Sequence, residues 1–336
     1  MNHHKYRNTK GIVAVGCIVT DVCYTIDKYP RKGNLTKIYK PFLSTGGLSN
    51  IVIDLARLDK NLPITVGGVI GTDEHGDFIL EKLGQYPNVN LNNIIRRGRT
   101  STSYVMTEAC SKERTFFYDS VGNDELSPKD IDFSALKGDF FILEYLLSLD
   151  ALDAFDTEYG TKSAYVLNQA QKAGMKTFVD VISEEKKERY KTAVIPTLKY
   201  VDYFTCNEIE AGSIVGTKHH DDAGIDDNNM FATLEKIRTF GVSEWIVIHA
   251  PSCAFGLNCK TGETFKKPSA SLPKDYIKGT IGAGDAFAAG VVYAAYKGLD
   301  LETAMIAGIQ CAARALGQID NNLGVIPFEQ MMVEQL

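Results

Sequence analysis

The stretch "KGTIGAGDAFAAG", Lys278 to Gly290, sets glycines and an alanine before one acid, Asp285. The run "DAFAAGVVYAAYKG" that follows reads as a helix closed by Gly298. The turn therefore stands at a helix N-terminus, where unpaired N–H groups and the positive end of the dipole make an anion site. Gly282, Ala283 and Gly284 would let a phosphate approach the backbone closely. An acid in the first turn, aimed at that phosphate, can take the proton of an attacking hydroxyl. Phosphoryl transfer needs this division of labour: donors for the moving charge and a carboxylate that orients the nucleophile. A neutral alcohol is a weak nucleophile at neutral pH, so a base at its proton helps. Taken alone, the stretch serves equally as a tight turn whose Asp285 caps a helix. No GxxxxGK(S/T) loop occurs in the chain, and no GxGxxG turn follows the first strand, which disfavours a dinucleotide-dependent dehydrogenase.

The elements that must hold this turn alternate along the chain. "IVAVGCIV", "ITVGGVIG", "DFFILEYL", "KTFVDVI", "YVDYFTC" and "EWIVIHA" are nearly continuous apolar runs, as buried parallel strands are. Helix-period segments such as "LSNIVIDLARLD" and "DEHGDFILEKLGQY" lie between most of them. The pattern predicts a parallel sheet wound with helices on both faces. Asp21 to Lys40 and Thr100 to Ser120 instead alternate polar and apolar residues, which predicts a small antiparallel sheet with one wet face. It would act as a lid, or be no more than a pair of surface hairpins.

The 336 residues are 44% hydrophobic and 23% charged, enough for one large α/β domain with a sizeable core. A net charge of −6 argues against a nucleic-acid partner. The apolar runs are too short to span a bilayer and the start "MNHHKYRNTK" is polar, so no membrane contact and a cytoplasmic location are expected. Seven scattered cysteines with no CxxC spacing suggest reduced thiols, not a disulfide framework or zinc site.

The turn "GTIGAGD" resembles the C-terminal signature DTxGAGD of the ribokinase/PfkB family of carbohydrate and nucleoside kinases. "GGLSN", Gly46 to Asn50, is similar to its N-terminal signature, and "CNEIE" resembles its NxxE element at Asn207 and Glu210. The resemblance runs from about Ile12 to the end and implies a ribokinase-like three-layer α/β/α fold. Residues 1–336 would form a single kinase domain with a β-sheet lid inserted from roughly 20–40 and 99–120. It implies Asp285 as catalytic base and the backbone of Gly282, Ala283 and Gly284 as anion hole. It implies ATP with Mg²⁺, the ion held partly through water near Asn207 and Glu210.

Asp21, Gly46, Gly47 and Asn50 would then bind a sugar-like acceptor, with Glu144 at the end of a central strand beside them. A carboxylate and an amide suit sugar hydroxyls. Adenine would lie between Ala254 and Gly256 on one side and Ala312, Ala315 and Asn321 or Asn322 on the other. Each residue also has a plain reading. Asp21 fits a strand-end turn, Asn50 a local helix bond, Glu144 a solvated loop acid, Asn207 an N-cap and Glu210 a solvent-facing helix position. Arg114, in the lid region, would contact an anionic substrate or be no more than an exposed strand arginine.

Three positions depart from the family pattern. Gly279 replaces the acid that opens DTxGAGD, which puts a monovalent-cation site in doubt. Val19 and Leu48 stand where ribokinases often carry a sugar-binding Asn and a Lys, which makes the pocket more apolar than a ribose site. A sugar kinase is the first reading. A nucleoside kinase, its base stacked on Tyr24, Tyr104 or Phe116, is the second. A non-catalytic sugar- or nucleotide-binding module is the third. A homodimer through the lid would cover the exposed edges of the small sheet, with a monomer as the alternative.

Overall fold

Continuous apolar strands need cover on both faces, and the chain supplies it from two sets of helices. The structure, a computed structural model, describes residues 10–336 apart from 112, 218–219, 222–223, 274 and 319–322. The main sheet has the order Thr264–Pro268, Cys253–Asn258, Trp245–His249, Tyr203–Asn207, Lys176–Val181, Phe140–Leu146, Ile12–Gly16, Ile64–Ile70, Val89–Arg96. Every pair from Trp245–His249 to Val89–Arg96 is parallel, and the two strands beyond Trp245–His249 are antiparallel additions.

Alternate residues of one strand feed two cores. Ile12 and Ala14 pack with the helices Leu48–Leu58, Ala283–Tyr296 and Leu301–Leu316, whereas Val13 and Val15 pack with Lys162–Lys172 and Asp227–Arg238. The result is three layers, with the strands' carboxyl ends gathered at one edge, where open α/β sheets bind ligands. Among the described residues no helix is long and apolar enough to cross a membrane.

The small sheet has the order Phe42–Gly47, Ile18–Ile26, Thr102–Glu108, Arg114–Asp119. It is mixed and not purely antiparallel, because Ile18–Ile26 and Thr102–Glu108 run parallel. Between those two strands the chain passes through the main sheet, and such a crossover returns a strand in the same direction. The predicted strand across Asp21 to Lys40 stops at Ile26; beyond it only an isolated bridge joins Ile26 to Ile38. Pro30 cannot donate to a ladder, and Gly33 turns at φ 83°. The antiparallel partner is instead Phe42–Gly47, which ends on the double glycine. The edge strand Val89–Arg96 was not anticipated from sequence, because asparagines at 90, 92 and 93 interrupt its apolar pattern.

Candidate active site

Two helix N-termini meet at the carboxyl edge of the sheet. The Leu48–Leu58 helix starts after Gly47, whose φ of 57° and ψ of −135° belong to glycine, and the Leu48 N–H donates to the Cys17 carbonyl at 2.8 Å. The Ala283–Tyr296 helix starts after Gly282 at φ 74°. Their first turns lie side by side. Asn50 Nδ2 donates to Asp285 Oδ2 at 2.6 Å, and Thr45 Oγ1 donates to Asn50 Oδ1 at 3.0 Å. The Tyr145 hydroxyl donates to Asp285 Oδ1. Asp285 thus stands in the helix's first turn, beside the unpaired amides of Ala283 and Gly284.

Burial raises the Asp285 pKa, and the hydrogen bonds from Tyr145 and Asn50 oppose that rise by favouring the carboxylate. Removing one donor therefore leaves burial less opposed. In Tyr145→Phe Asp285 should take up its proton at higher pH than in the wild type, so an acid limb of kcat/KM set by Asp285 moves upward in pH. A pH–rate profile with an unmoved acid limb would show that Tyr145 does not tune a titration of Asp285 that activity depends on.

Asp21 lies on the strand beside Gly46, and its carboxyl is buried. A Cβ at Gly46 would come within 2.7 Å of Asp21 Oδ1 and 2.6 Å of Val19 Cγ1, so the glycine leaves room for the acid. Burial, then the negative charge of Asp285, pushes the Asp21 pKa well up, while Arg114 pulls it down. In the regular pairing Asp21, Cys23, Ser103, Val105, Phe116 and Arg114 share one face of the small sheet. Tyr24 and Tyr104 fall on the opposite face by the same period of two. Of the aromatics considered for base stacking, Phe116 alone shares the Asp21 face.

Glu144 is fully buried near the carboxyl end of the Phe140–Leu146 strand, with neither carboxylate oxygen hydrogen-bonded. Burial and then Asp180, Asp285 and Glu210 raise its pKa well above the usual range. Asn207 caps the Glu208–Val215 helix: its Oδ1 accepts from Ile209 N at 2.9 Å and Glu210 N at 2.8 Å. Glu210 closes the box by accepting from Asn207 N at 2.8 Å, and its other oxygen accepts from Ser183 Oγ at 2.8 Å. Glu210 is buried and does not face water; burial raises its pKa to about 7.

Ala254, Gly256 and Ala315 are buried where the Cys253–Asn258 strand meets the Leu301–Leu316 helix, and Ala312 is half-buried. A Cβ at Gly256 would sit 2.5 Å from Met305 Sδ, so that glycine serves helix–sheet contact. Asn321 and Asn322 lie outside the described residues. Gly279 lies beside the Leu316 carbonyl.

Tyr145, Asp180 and His249 were not assigned a site role from sequence, and Arg114 was left between a substrate contact and an exposed strand position. Tyr145 follows Glu144 on one strand and would point away from it by simple alternation, but the pairing with the neighbouring strand slips between Val179 and Val181. Asp180 is buried, and burial followed by Glu210 raises its pKa well above the carboxylate range. His249 ends its strand under Gly284, its ring 4.9 Å from that of Phe287, and burial lowers its pKa to about 4, so it is neutral at physiological pH. Arg114 reaches across to Thr280 in the glycine turn. None of these has a local signal, since each depends on which strands become neighbours.

The chain matches the model of the pfkB family carbohydrate kinases over residues 9–324. It is 26% identical over 322 residues to a 5-dehydro-2-deoxygluconokinase of Listeria innocua, covering 93% of this chain and 92% of that protein. Over 323 residues it is 25% identical to the Listeria monocytogenes serotype 4a protein of the same name, with the same coverage of each. Among solved structures, Giardia lamblia ribokinase superposes with a TM-score of 0.79 at 19% identity, covering 97% of this chain and 100% of that one. Arabidopsis thaliana ribokinase complexed with ribose and ATP gives 0.78 at 18% identity, covering 97% and 98%. A putative ribokinase II from E. coli in complex with ATP and Mg²⁺ gives 0.74 at 17% identity, covering 96% and 98%. With a ribokinase fold and a family match from the first strand to beyond the last long helix, this chain belongs to the pfkB family of carbohydrate kinases.

Proposed function

We propose that the chain transfers the γ-phosphoryl group of ATP to a primary hydroxyl of a small sugar or sugar derivative, with Asp285 as the base. The observation that carries this reading is Asp285 itself, buried in the first turn of a helix and held from both sides by Asn50 and Tyr145. The ATP phosphates would rest on the amides of Gly282, Ala283 and Gly284, and Asp285 would accept the acceptor's proton as the P–O bond forms. Asp21, Gly46, Gly47 and Asn50 would hold the acceptor's other hydroxyls. Adenine would lie along the wall near Ala312, with Ala254, Gly256 and Ala315 shaping it from behind.

Mg²⁺, when bound, supplies charge neutralisation across the β- and γ-phosphates. Among the described residues no cluster of three or more His, Cys, Asp or Glu side chains is placed to cage a metal. Asn207 and Glu210 would hold the ion partly through its waters, and the unbonded carboxylate oxygens of Glu144, near Asp180 and Glu210, leave acceptor capacity for one such water. Glu210 and Asp180 would hold those waters.

The named activity of the Listeria relatives makes 5-dehydro-2-deoxygluconate the first acceptor to try. ADP release should be measured with ATP and Mg²⁺ on a panel of sugar acids, sugar phosphates, neutral sugars and nucleosides. Turnover of at least one sugar-type acceptor is expected. Turnover of nucleosides alone would reverse the order of the two kinase readings, and binding without turnover across the panel would favour the binding module. Leu43, Tyr104 and Phe117 lie exposed on the small sheet's other face, where a second copy would join. The mass of the active species in the same preparation decides between monomer and dimer.

A further inference from the structure

Among the described residues, Leu147 alone other than glycine takes a positive φ, 77°. It directly follows the Phe140–Leu146 strand that carries Glu144 and Tyr145. A leucine in the left-handed region is strained, and such a conformation persists only where its surroundings over-determine it. The turn in which it stands begins on Tyr145. The Tyr145 carbonyl accepts from Ser148 Oγ at 2.9 Å and from the Ser148 N–H at 3.4 Å. Leu147 is therefore at the third position of a β-turn, where a positive φ ordinarily calls for glycine. Its side chain is buried in the core that also holds Leu149 and Leu152. That burial accounts for a leucine at this place but not for what keeps its backbone there.

Arg189 supplies the hold. Its Nη1 donates to the Leu147 carbonyl at 3.0 Å and to Glu184 Oε2 at 3.1 Å. Its Nη2 donates to Asp150 Oδ1 at 2.8 Å and to Asp153 Oδ2 at 3.2 Å. Asp153 is buried and also accepts from the Leu149 N–H at 3.3 Å. Three carboxylates from two segments thus fix one planar guanidinium, and the guanidinium fixes the peptide it touches. The first residue of the same turn sends its hydroxyl to Asp285 Oδ1. Were Leu147 to relax to a negative φ, the bonds from Ser148 to Tyr145 would open and the Tyr145 ring would lose its line to Asp285.

Resting on the kinase reading above, we propose that Arg189 is a positioning residue for the base: by clamping the Leu147 carbonyl it keeps the turn that aims the Tyr145 hydroxyl at Asp285. None of its hydrogen bonds among the described residues goes to Tyr145 or Asp285, so it acts through the chain between them.

The test reads kcat and KM by ADP release with ATP and Mg²⁺. The acceptor is whichever of 5-dehydro-2-deoxygluconate, D-gluconate, D-fructose and D-ribose the wild type turns over fastest. Arg189→Lys keeps a charge for the three acids but loses the fork. It should lower kcat about tenfold, the scale of one charged hydrogen bond, with the KM of ATP and of the acceptor within about twofold. An acid limb of kcat/KM set by Asp285 should move upward in pH, as in Tyr145→Phe. In the Tyr145→Phe background the same change should lower kcat by no more than about twofold, because the aim is already lost.

Leu147→Ala and Leu147→Gly probe the turn with Arg189 in place. At an ordinary buried position glycine is the more harmful of the two. Here alanine retains the backbone strain and glycine removes it, so kcat of Leu147→Gly should be at least about threefold above that of Leu147→Ala. In the Leu147→Gly background Arg189→Lys should cost no more than about twofold, since glycine keeps the turn without the clamp.

An equal loss of kcat from Arg189→Lys with and without the Tyr145 hydroxyl would overturn the proposal. So would a Leu147→Gly enzyme slower than Leu147→Ala, or an Arg189→Lys enzyme with a lowered melting temperature and an unchanged kcat. In each of those cases the kinase reading would stand. No turnover of any of the four acceptors by the wild type would overturn the kinase reading and this proposal together.

Discussion

Asp285→Asn should lower kcat by about 1,000-fold, within the 10²–10⁴ that a positioned general base contributes. The fold should survive. Asp285 is buried and accepts one bond from Asn50 and one from Tyr145. An asparagine of the same shape can accept from Asn50 with its oxygen and donate to the Tyr145 oxygen with its amide. It also removes a carboxylate whose burial is unfavourable, as the raised pKa shows. Thermal stability should therefore be equal to or above that of the wild type. ATP binding should change by no more than about threefold, because the turn's amides and not the carboxylate are proposed to hold the phosphates. Single-turnover kinetics together with ATP titration would check this. A variant retaining more than about a tenth of wild-type kcat would remove Asp285 from the role of base.

Gly47→Ala should harm both stability and acceptor binding. The position has φ 57°, and a Cβ there would fall 2.3 Å from the Cys17 carbonyl oxygen. That oxygen is fixed, since it accepts from the Leu48 N–H at 2.8 Å. Neither partner is a flexible side-chain tip, so the helix start must move away from Cys17 or the backbone must leave its present conformation. Strained dihedrals and overpacking together cost about 2–4 kcal/mol. Asn50 rides on the first turn of the same helix, so its 2.6 Å bond to Asp285 would stretch.

The expected result is a melting temperature lower by about 5 °C or more, with acceptor KM raised about tenfold or more. Gly33→Ala is the control. Gly33 also has a positive φ, 83°, but no atom lies within 4 Å of a Cβ built there. Only the conformational cost of about 1 kcal/mol then applies. Equal small effects in the two variants would mean that the Cys17 contact relaxes freely and that Gly47 does not position Asn50.

The strand–helix alternation was legible because buried parallel strands must be apolar throughout, and six runs announced themselves in that way. The glycine turn was legible for a local reason too. A helix start with φ of 74° at Gly282 and an acid in the first turn is written in consecutive residues. The family signatures at Gly46 to Asn50 and Gly282 to Asp285 likewise needed no tertiary information to be found.

What the chain order could not disclose were the contacts that join these local pieces. The parallel pairing within the small sheet depends on a crossover through the main sheet, and period-two alternation carries no direction. The alternative that Glu210 faces water is excluded only by burial and the Asn207 capping box, which turn it inward. Tyr145 meets Asp285 from 140 residues away, where a slip in strand pairing overrides alternation. Arg114 faces Asp21 and reaches Thr280 because register sets its side of the sheet. The sequence by itself determined that Asp285 stands at a helix start, the glycine turn before it and the layers that carry them, since each rests on neighbours in the chain. Tertiary structure alone decided which side chains bond to Asp285 and which cation acts on Asp21, because those contacts follow from strand order, register and burial.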